Sequence, residues 1–117
     1  MPRILILDDE PLISMLMEDW LTELGCEVVG PARSVADGLN LAEGGKLDGA
    51  ILDVNLAGEK CFSLADALRQ KGVPVAFATG DCAIDKEAGF ADPILLSKPF
   101  MFEDVKAVVD KLLRPAA

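Results

Sequence analysis

The segment RILILDD (residues 3–9) decides the fold, and GAILD (residues 49–53) repeats its pattern. Each apolar run ends in aspartate: Asp8 and Asp9 in the first, Asp53 in the second. Continuous apolar runs of this length are typical of strands buried on both faces of a parallel sheet. Ligands bind such sheets beyond the carboxyl ends of the strands. We therefore expect the three acids to meet at one edge, where repulsion of roughly 3 kcal/mol per pair calls for a cation.

Strand-like and helix-like segments alternate along the rest of the chain, which predicts an α/β fold with a parallel sheet. The predicted strands cover residues 3–8, 26–30, 48–53, 74–79 and 94–97. The predicted helices cover residues 10–24, 34–43 and 61–71, and a last helix carries an apolar stripe from Val105 to Leu113. Residues 54–60 are predicted to form a loop. The crossover at residues 81–93 contains few apolar residues, so its helix is expected to be short, about 83–88, or frayed.

Composition restricts the possible partners. The chain has 117 residues, of which 51% are hydrophobic, enough for one domain around one core. Its net charge of −9 argues against a nucleic acid or an anionic membrane surface as a partner. No apolar run approaches the roughly 18 residues of a membrane span, and no signal peptide is evident, so we expect a cytoplasmic protein.

The chain contains no histidine, which excludes histidine-dependent nucleophilic catalysis and histidine metal ligation within it. Cys26, Cys61 and Cys82 are scattered and form no CxxC pair. This spacing is not that of a structural zinc site, and we expect three reduced thiols.

Two further polar residues follow predicted strands. Thr79 ends the fourth strand, and Lys98, followed by Pro99, comes directly after the fifth. Taken alone, these positions have structural explanations. Asp8 and Asp9 could cap a helix, Thr79 could be an ordinary strand residue, and Lys98 could be a solvated loop cation. Together with the three aspartates, however, they resemble the receiver domain of bacterial two-component response regulators over the whole chain. That resemblance implies a (βα)5 flavodoxin-like, doubly wound sheet of five parallel strands in the order 2-1-3-4-5.

The resemblance also implies the chemistry. Asp53 is expected to be the phosphoacceptor, in a reaction that depends on Mg²⁺. Asp9, Asp53 and the backbone carbonyl of Asn55 are expected to bind the metal directly, and Asp8 through water.

Two side chains are expected to contact the phosphoryl oxygens: the Lys98 ammonium and the Thr79 hydroxyl. The phosphodonor implied is a histidine kinase. The protein is expected to catalyse its own phosphorylation and slow dephosphorylation and not to be a turnover enzyme.

Output is expected to take one of two forms, phosphorylation-dependent protein binding or service as a phosphate sink. The implied partner face comprises the crossover helix at 81–93, the fifth strand and the last helix. Charged residues expected to face solvent there are Glu103, Asp104, Lys106, Asp110, Lys111 and Arg114. The chain stops soon after Pro115, so residues 1–117 are predicted to be a stand-alone receiver without an output domain. A receiver excised from a larger regulator is the alternative.

The sequence departs from the usual receiver pattern at several positions. Ala57 stands where receivers usually have proline, and Leu95 replaces the aromatic residue that usually switches on the fifth strand. FATG (residues 77–80) resembles the motif of an alphaproteobacterial subgroup of single-domain receivers, nicknamed "FATGUY", although Asp81 and Cys82 break the match. We expect residues 80–93 to be the element that phosphorylation orders.

The sequence is also compatible with two rival functions. The first is a protein-binding module that does not depend on phosphorylation and uses its acidic pocket only structurally. The second is a Mg²⁺-dependent phosphatase with an aspartate nucleophile. The phosphatase is disfavoured because such enzymes usually carry a second acid two residues beyond the nucleophile, where this chain has Asn55.

Overall fold

A computed structural model of the chain describes residues 2–56, 59–79, 94–97 and 100–113. For six residues in strands it describes the backbone alone: Asn55, Leu56, Glu59, Lys60, Thr79 and Ser97. The strands are β1 (Arg3–Leu7), β2 (Glu27–Ala32), β3 (Gly49–Asp53), β4 (Asn55–Leu56), β5 (Glu59–Lys60), β6 (Val75–Thr79) and β7 (Ile94–Ser97). The helices are α1 (Pro11–Glu23), α2 (Val35–Glu43), α3 (Phe62–Gln70) and α4 (Phe102–Leu113).

Five strands form one parallel sheet in the order β2-β1-β3-β6-β7. Counted as the predicted strands, this order is 2-1-3-4-5, so the predicted topology is confirmed. Leu7 of β1 lies opposite Leu52 of β3, and Asp53 lies opposite Ala78 of β6. The carboxyl ends of these strands therefore lie together at one edge of the sheet, which we call the site edge.

Helices cover both faces of the sheet. Leu5 and Leu7 of β1 belong to a core cluster that includes residues of α2 and α3. Ile4 and Ile6 point to the opposite face, where the cluster includes residues of α1 and α4. Because successive side chains of a strand point to opposite faces, a strand covered on both faces must be apolar at every position. This is why residues 4–7 and 49–52 show no alternation.

The helix boundaries agree with the sequence signals. Pro11 lies in the first turn of α1, as predicted, and Gly25 adopts a positive φ of 84° directly after the C-cap residue Leu24. The Ser34 side chain caps α2 by accepting a hydrogen bond from the backbone N–H of Asp37 at 3.1 Å. The Ser34 cap satisfies a backbone donor that the first turn of α2 leaves unpaired.

β2 continues two residues beyond its predicted end at Gly30. The predicted strand ends at Gly30, whereas Gly30 forms a bend within the observed strand, with φ of 98°. A Cβ atom there would lie 2.7 Å from the Ala32 nitrogen and 3.2 Å from the Ile6 carbonyl oxygen. The register between β1 and β2 shifts at this point, between Leu5 and Leu7. Only glycine combines this φ with so close a backbone approach.

The loop predicted at residues 54–60 contains the short antiparallel pair of β4 and β5. The crossover at 81–93, with its predicted helix and the proposed mobile element from Gly80 onward, lies outside the described residues, as does Ala57. In the described part of the chain, no helix has the length and apolar character that a membrane span requires.

Candidate phosphoacceptor site

Neighbouring strands bring two buried acids to the site edge. Asp8 follows β1 directly, and Asp53 is the last residue of β3. The parallel register of β1 and β3 pairs Leu7 with Leu52, so the two aspartates follow that pair side by side. Each is only 4% exposed. Ionised carboxylates are rarely buried without compensation, which marks this edge as a site of chemistry.

Backbone and side-chain hydrogen bonds fix Asp8. Its N–H donates to the Ala32 carbonyl at 3.0 Å and so extends the ladder between β1 and β2. Its Oδ1 accepts from the backbone N–H of Glu10 at 2.8 Å, a local turn that aspartate commonly forms. The buried Ser14 hydroxyl donates to the Asp8 carbonyl at 3.5 Å. Asp8 is therefore held between β1 and the start of α1.

The backbone on both sides of Asp53 is hydrogen-bonded. Asp53 lies opposite Ala78 in the sheet, and the N–H of Val54 donates to the Ala78 carbonyl at 3.1 Å. The Cys61 N–H in turn donates to the Val54 carbonyl at 3.3 Å. Asp53 is therefore part of the sheet rather than of a free loop, and its position depends on β6 as well as β1.

A third carboxylate joins this pair. Asp8, Glu10 and Asp53 each offer an oxygen atom, and these atoms all lie within 4.8 Å of one another. Asp8 and Asp53 are buried, whereas Glu10 is exposed at the start of α1. At such separations like charges repel by about 3 kcal/mol per pair at an effective dielectric of 20. Hard oxygen atoms in this arrangement suit Mg²⁺ or Ca²⁺, so the residues present fit a divalent cation.

The structure brings two of the three predicted aspartates together and places the third in the adjoining turn. Asp8 and Asp53 come together as the sequence predicts. Asp9 is half-buried in the turn after β1, and the carboxylate group identified among the described residues contains Glu10 in addition to Asp8 and Asp53. Glu10 was not assigned a role from sequence. The signal available was its position between the two aspartates and the helix-starting Pro11.

The other predicted site residues are described only in part. Thr79 ends β6, one residue beyond Ala78, and its backbone pairs with Ser97 of β7. Asn55 begins β4, two residues after Asp53. Both backbones therefore lie at the site edge, whereas Lys98 and Pro99 lie outside the described residues.

Leu95 occupies the position of the expected aromatic switch. It lies opposite Phe77 in the sheet, is half-buried, and packs against the core cluster on the α2 and α3 side. Phe77 is 1% exposed and forms an edge-to-face contact with Phe62, with ring centroids 6.1 Å apart. The aliphatic side chain of Leu95 therefore replaces the usual aromatic ring, next to the contacting rings of Phe62 and Phe77.

The predicted partner face is described for α4 and β7. The charged residues of α4 named from sequence are exposed: Glu103, Asp104, Lys106, Asp110 and Lys111. Asp104 also accepts a hydrogen bond from the Met101 N–H at 2.8 Å, so it stabilises the start of α4. Arg114 lies outside the described residues.

Residues 4–110 match the family described as the response regulator receiver domain. The phyllosphere-induced regulator PhyR of Methylorubrum extorquens is 35% identical over 115 residues, which are 95% of this chain and 43% of PhyR. The chain spans about half the length of the curated relatives it matches first.

Solved structures agree with this match. The solution structure of SdrG from Sphingomonas melonis is 42% identical, with a TM-score of 0.83, and the match covers 97% of this chain and 98% of that chain. TrrA from Thermotoga maritima, solved in complex with Mg²⁺-BeF, is 30% identical, with a TM-score of 0.83, over 97% of this chain and 100% of that chain. The chain therefore belongs to the response regulator receiver domain family.

Proposed function

We propose that Asp53 accepts a phosphoryl group from a histidine kinase. The observation that supports this most directly is the buried Asp53 carboxylate, grouped with two further carboxylates at the site edge of a receiver fold. A carboxylate oxygen of Asp53 attacks phosphorus. The bond from phosphorus to the kinase histidine breaks, and its electron pair goes to the imidazole nitrogen. The product is an aspartyl phosphate.

Magnesium is part of this proposal because the oxygen atoms of Asp8, Glu10 and Asp53 suit a hard cation. By family resemblance Asp9 and the Asn55 carbonyl also contribute, with Asp8 acting through water. When bound, the metal would supply positive charge that offsets the carboxylates and the phosphoryl oxygens. The Mg²⁺-BeF complex of TrrA supports this assignment.

Positioning residues complete the proposed reaction. The hydrogen bonds of Asp8 and the sheet pairing of Asp53 hold the two acids before phosphate arrives, so little reorganisation is needed. The Thr79 hydroxyl and the Lys98 ammonium are proposed to contact the phosphoryl oxygens. The same residues would support the slow hydrolysis of the aspartyl phosphate.

The proposed output is phosphorylation-dependent protein binding, or drainage of phosphate from the kinase, in the cytoplasm. The proposed binding face includes β7 and the exposed charges of α4. A stand-alone receiver is proposed because SdrG matches this chain over 98% of its length. The curated relatives, about twice as long, represent the alternative of a receiver within a larger regulator.

The test is to incubate the protein with acetyl phosphate or with beryllium fluoride, each with Mg²⁺. Mass spectrometry should show one added phosphoryl group, and amide spectra should shift with beryllium fluoride. Asp53→Asn should abolish both effects. Asp19→Asn, on the exposed side of α1, is the matched control and should preserve them.

Two outcomes would favour other functions. If wild-type protein gains no mass and its spectra do not change, the phosphorylation-independent binding module is favoured. If it releases inorganic phosphate continuously, at a rate that Asp53→Asn removes, it is a phosphatase and not a signalling receiver.

A further inference from the structure

Three aromatic rings join α1 to the start of α4. Trp20 of α1 contacts Phe100 and Phe102 edge to face, with ring centroids 6.3 Å apart in each pair. All three side chains are half-buried, and Trp20 and Phe100 pack against the core cluster on the α1 and α4 side of the sheet. Edge-to-face contacts stabilise a pair of rings beyond the area that they bury. The rings therefore tie the segment that precedes α4 to α1.

The first turn of α4 anchors part of this segment independently. The Met101 N–H donates to the Asp104 side chain at 2.8 Å, and the Met101 carbonyl accepts from the N–H groups of Asp104 and Val105 at 3.0 and 3.2 Å. These bonds pair backbone groups that a helix start otherwise leaves unsatisfied. Phe100 lies just before this cap, where the contact with Trp20 holds its ring.

Phe100 is the second residue after Lys98, whose ammonium is proposed to contact the phosphoryl oxygens. On the other side of Lys98, the backbone of Ser97 is held opposite Thr79 in the sheet. The residue between Lys98 and Phe100 is Pro99, and proline fixes its own φ and restricts the backbone of the residue before it. Few rotatable backbone bonds therefore separate Lys98 from Phe100, so a change in the position of Phe100 is passed on to Lys98.

We propose that Trp20 is a positioning residue that, through its two ring contacts, places the Lys98 ammonium for the phosphoryl oxygens. This inference rests on the proposed function, because it needs a phosphoryl group that Lys98 contacts. A cation that is held in place before the anion arrives binds it more tightly, since less conformational freedom is lost on binding. Because Trp20 acts through Lys98 and not through the metal ligands, its loss should affect the anion and not Mg²⁺.

The test compares two ligands of the same site. Mg²⁺ alone is titrated by calorimetry after removal of divalent ions with EDTA, and beryllium fluoride is titrated at saturating Mg²⁺ and followed by amide spectra. Trp20→Leu should bind beryllium fluoride about three- to tenfold more weakly than wild type, the scale set by one or two edge-to-face contacts. Its Mg²⁺ affinity should be unchanged. Trp20→Phe keeps a ring for these contacts and should recover most of the loss.

Two controls separate positioning from a general loss of packing. Leu24→Ala shortens a half-buried side chain of the same core cluster, at the end of α1 away from the site edge, and should bind both ligands as wild type does. Lys98→Ala removes the ammonium that Trp20 is proposed to position. Adding Trp20→Leu to Lys98→Ala should therefore weaken beryllium fluoride binding no further.

Circular dichroism establishes that each variant is folded. If Trp20→Leu is not folded, Phe102→Leu takes its place in every comparison, because it removes one of the two ring contacts and leaves Trp20 in α1. It should weaken beryllium fluoride binding in the same direction and leave Mg²⁺ affinity unchanged.

The outcomes separate this inference from the proposed function. If wild type binds neither ligand, or if Lys98→Ala binds beryllium fluoride as wild type does, the proposed function fails at that step and the inference fails with it. If Lys98→Ala weakens beryllium fluoride binding and Trp20→Leu does not, only the role of Trp20 is overturned. Weaker binding of both ligands by Trp20→Leu, or an equal loss from Trp20→Leu with and without Lys98, would also overturn it.

Discussion

The Oδ1 atom of Asp8 accepts a hydrogen bond from the backbone N–H of Glu10 at 2.8 Å. This bond joins the end of β1 to the residue that precedes α1, and it links two of the three residues whose carboxylates are grouped. The same side chain therefore has two effects on stability. Its hydrogen bond stabilises the turn, whereas its charge repels Asp53 and Glu10. The two effects can be separated by substitution.

Asp8→Asn keeps an oxygen that accepts from Glu10 but removes the charge. Without divalent ions we expect it to raise the free energy of unfolding by about 1–3 kcal/mol, since two repulsive pairs disappear. Asp8→Ala removes the charge as well, but it leaves the Glu10 N–H without this acceptor, which costs about 1 kcal/mol.

Urea denaturation in EDTA measures all three proteins. The expected order of stability is Asp8→Asn, then Asp8→Ala, then wild type. With saturating Mg²⁺ the advantage of Asp8→Asn should shrink, because wild type gains more from metal binding. An Asp8→Asn protein that is less stable than wild type in EDTA would show that repulsion does not dominate at this edge.

Gly38 of α2 packs directly against Leu64 of α3. A Cβ atom at Gly38 would lie 2.5 Å from Leu64 Cδ2, and Leu64 is fully buried. Alanine in place of helical glycine normally stabilises by up to about 1 kcal/mol. Here overpacking, typically about 1–3 kcal/mol, should exceed that gain, so Gly38→Ala should destabilise the protein.

A double-mutant cycle identifies the cause. In the Leu64→Ala background the obstructing methyl group is gone, and Gly38→Ala should become stabilising. Gly44→Ala is the control, because its Cβ would lie 3.5 Å from the Leu41 carbonyl oxygen, an ordinary contact. An equal loss from Gly38→Ala in both backgrounds would rule out the contact with Leu64.

The contrast between apolar runs and helical stripes explains why the fold could be predicted. A strand covered on both faces must be apolar over its covered length, as residues 4–7 and 49–52 are. The end of β2 is harder to predict, because glycine is as typical of a turn as of a bend within a strand such as the one at Gly30. That distinction depends on the approach of the Ile6 carbonyl, which is a tertiary contact.

The candidate site, like the fold, could be predicted only in part. Asp8 and Asp53 could be brought together from strand ends alone, because parallel strands place their carboxyl ends at one edge. Glu10 could not be assigned a role, since the direction of its side chain depends on a turn. In that turn the Glu10 N–H donates a hydrogen bond to the Asp8 side chain. The family pattern gave no role to the residue after the two aspartates, so only the folded geometry places Glu10 beside Asp53.

Ser34 provides a separate test of how α2 begins. Its side chain accepts from the Asp37 N–H at 3.1 Å. Ser34→Ala should lower the free energy of unfolding by about 1 kcal/mol, the usual cost of losing an N-cap. Ser63→Ala, at an exposed position within α3, is the matched control and should change stability by less than about 0.5 kcal/mol. Equal losses in urea denaturation would show that the Ser34 cap contributes nothing specific.

Cys26 lies at the start of the segment leading into β2 and is only 2% exposed. Burial raises the pKa of its thiol above the ordinary value of 9.0, because the thiolate is poorly solvated there. The folded protein therefore holds the thiol proton more tightly than the unfolded chain does. This contribution to stability is complete below the unfolded pKa and is lost as the pH rises through the folded pKa.

Above about pH 9, where an unperturbed thiol is half ionised, the expected result is a steeper loss of stability for wild type than for Cys26→Ala. Urea denaturation from neutral pH upward measures both proteins, and other titrating groups cancel in the difference between them. Cys26→Ala also loses packing, so its absolute stability should be lower at every pH. Parallel curves for the two proteins would show that the Cys26 thiol titrates as it does in the unfolded chain.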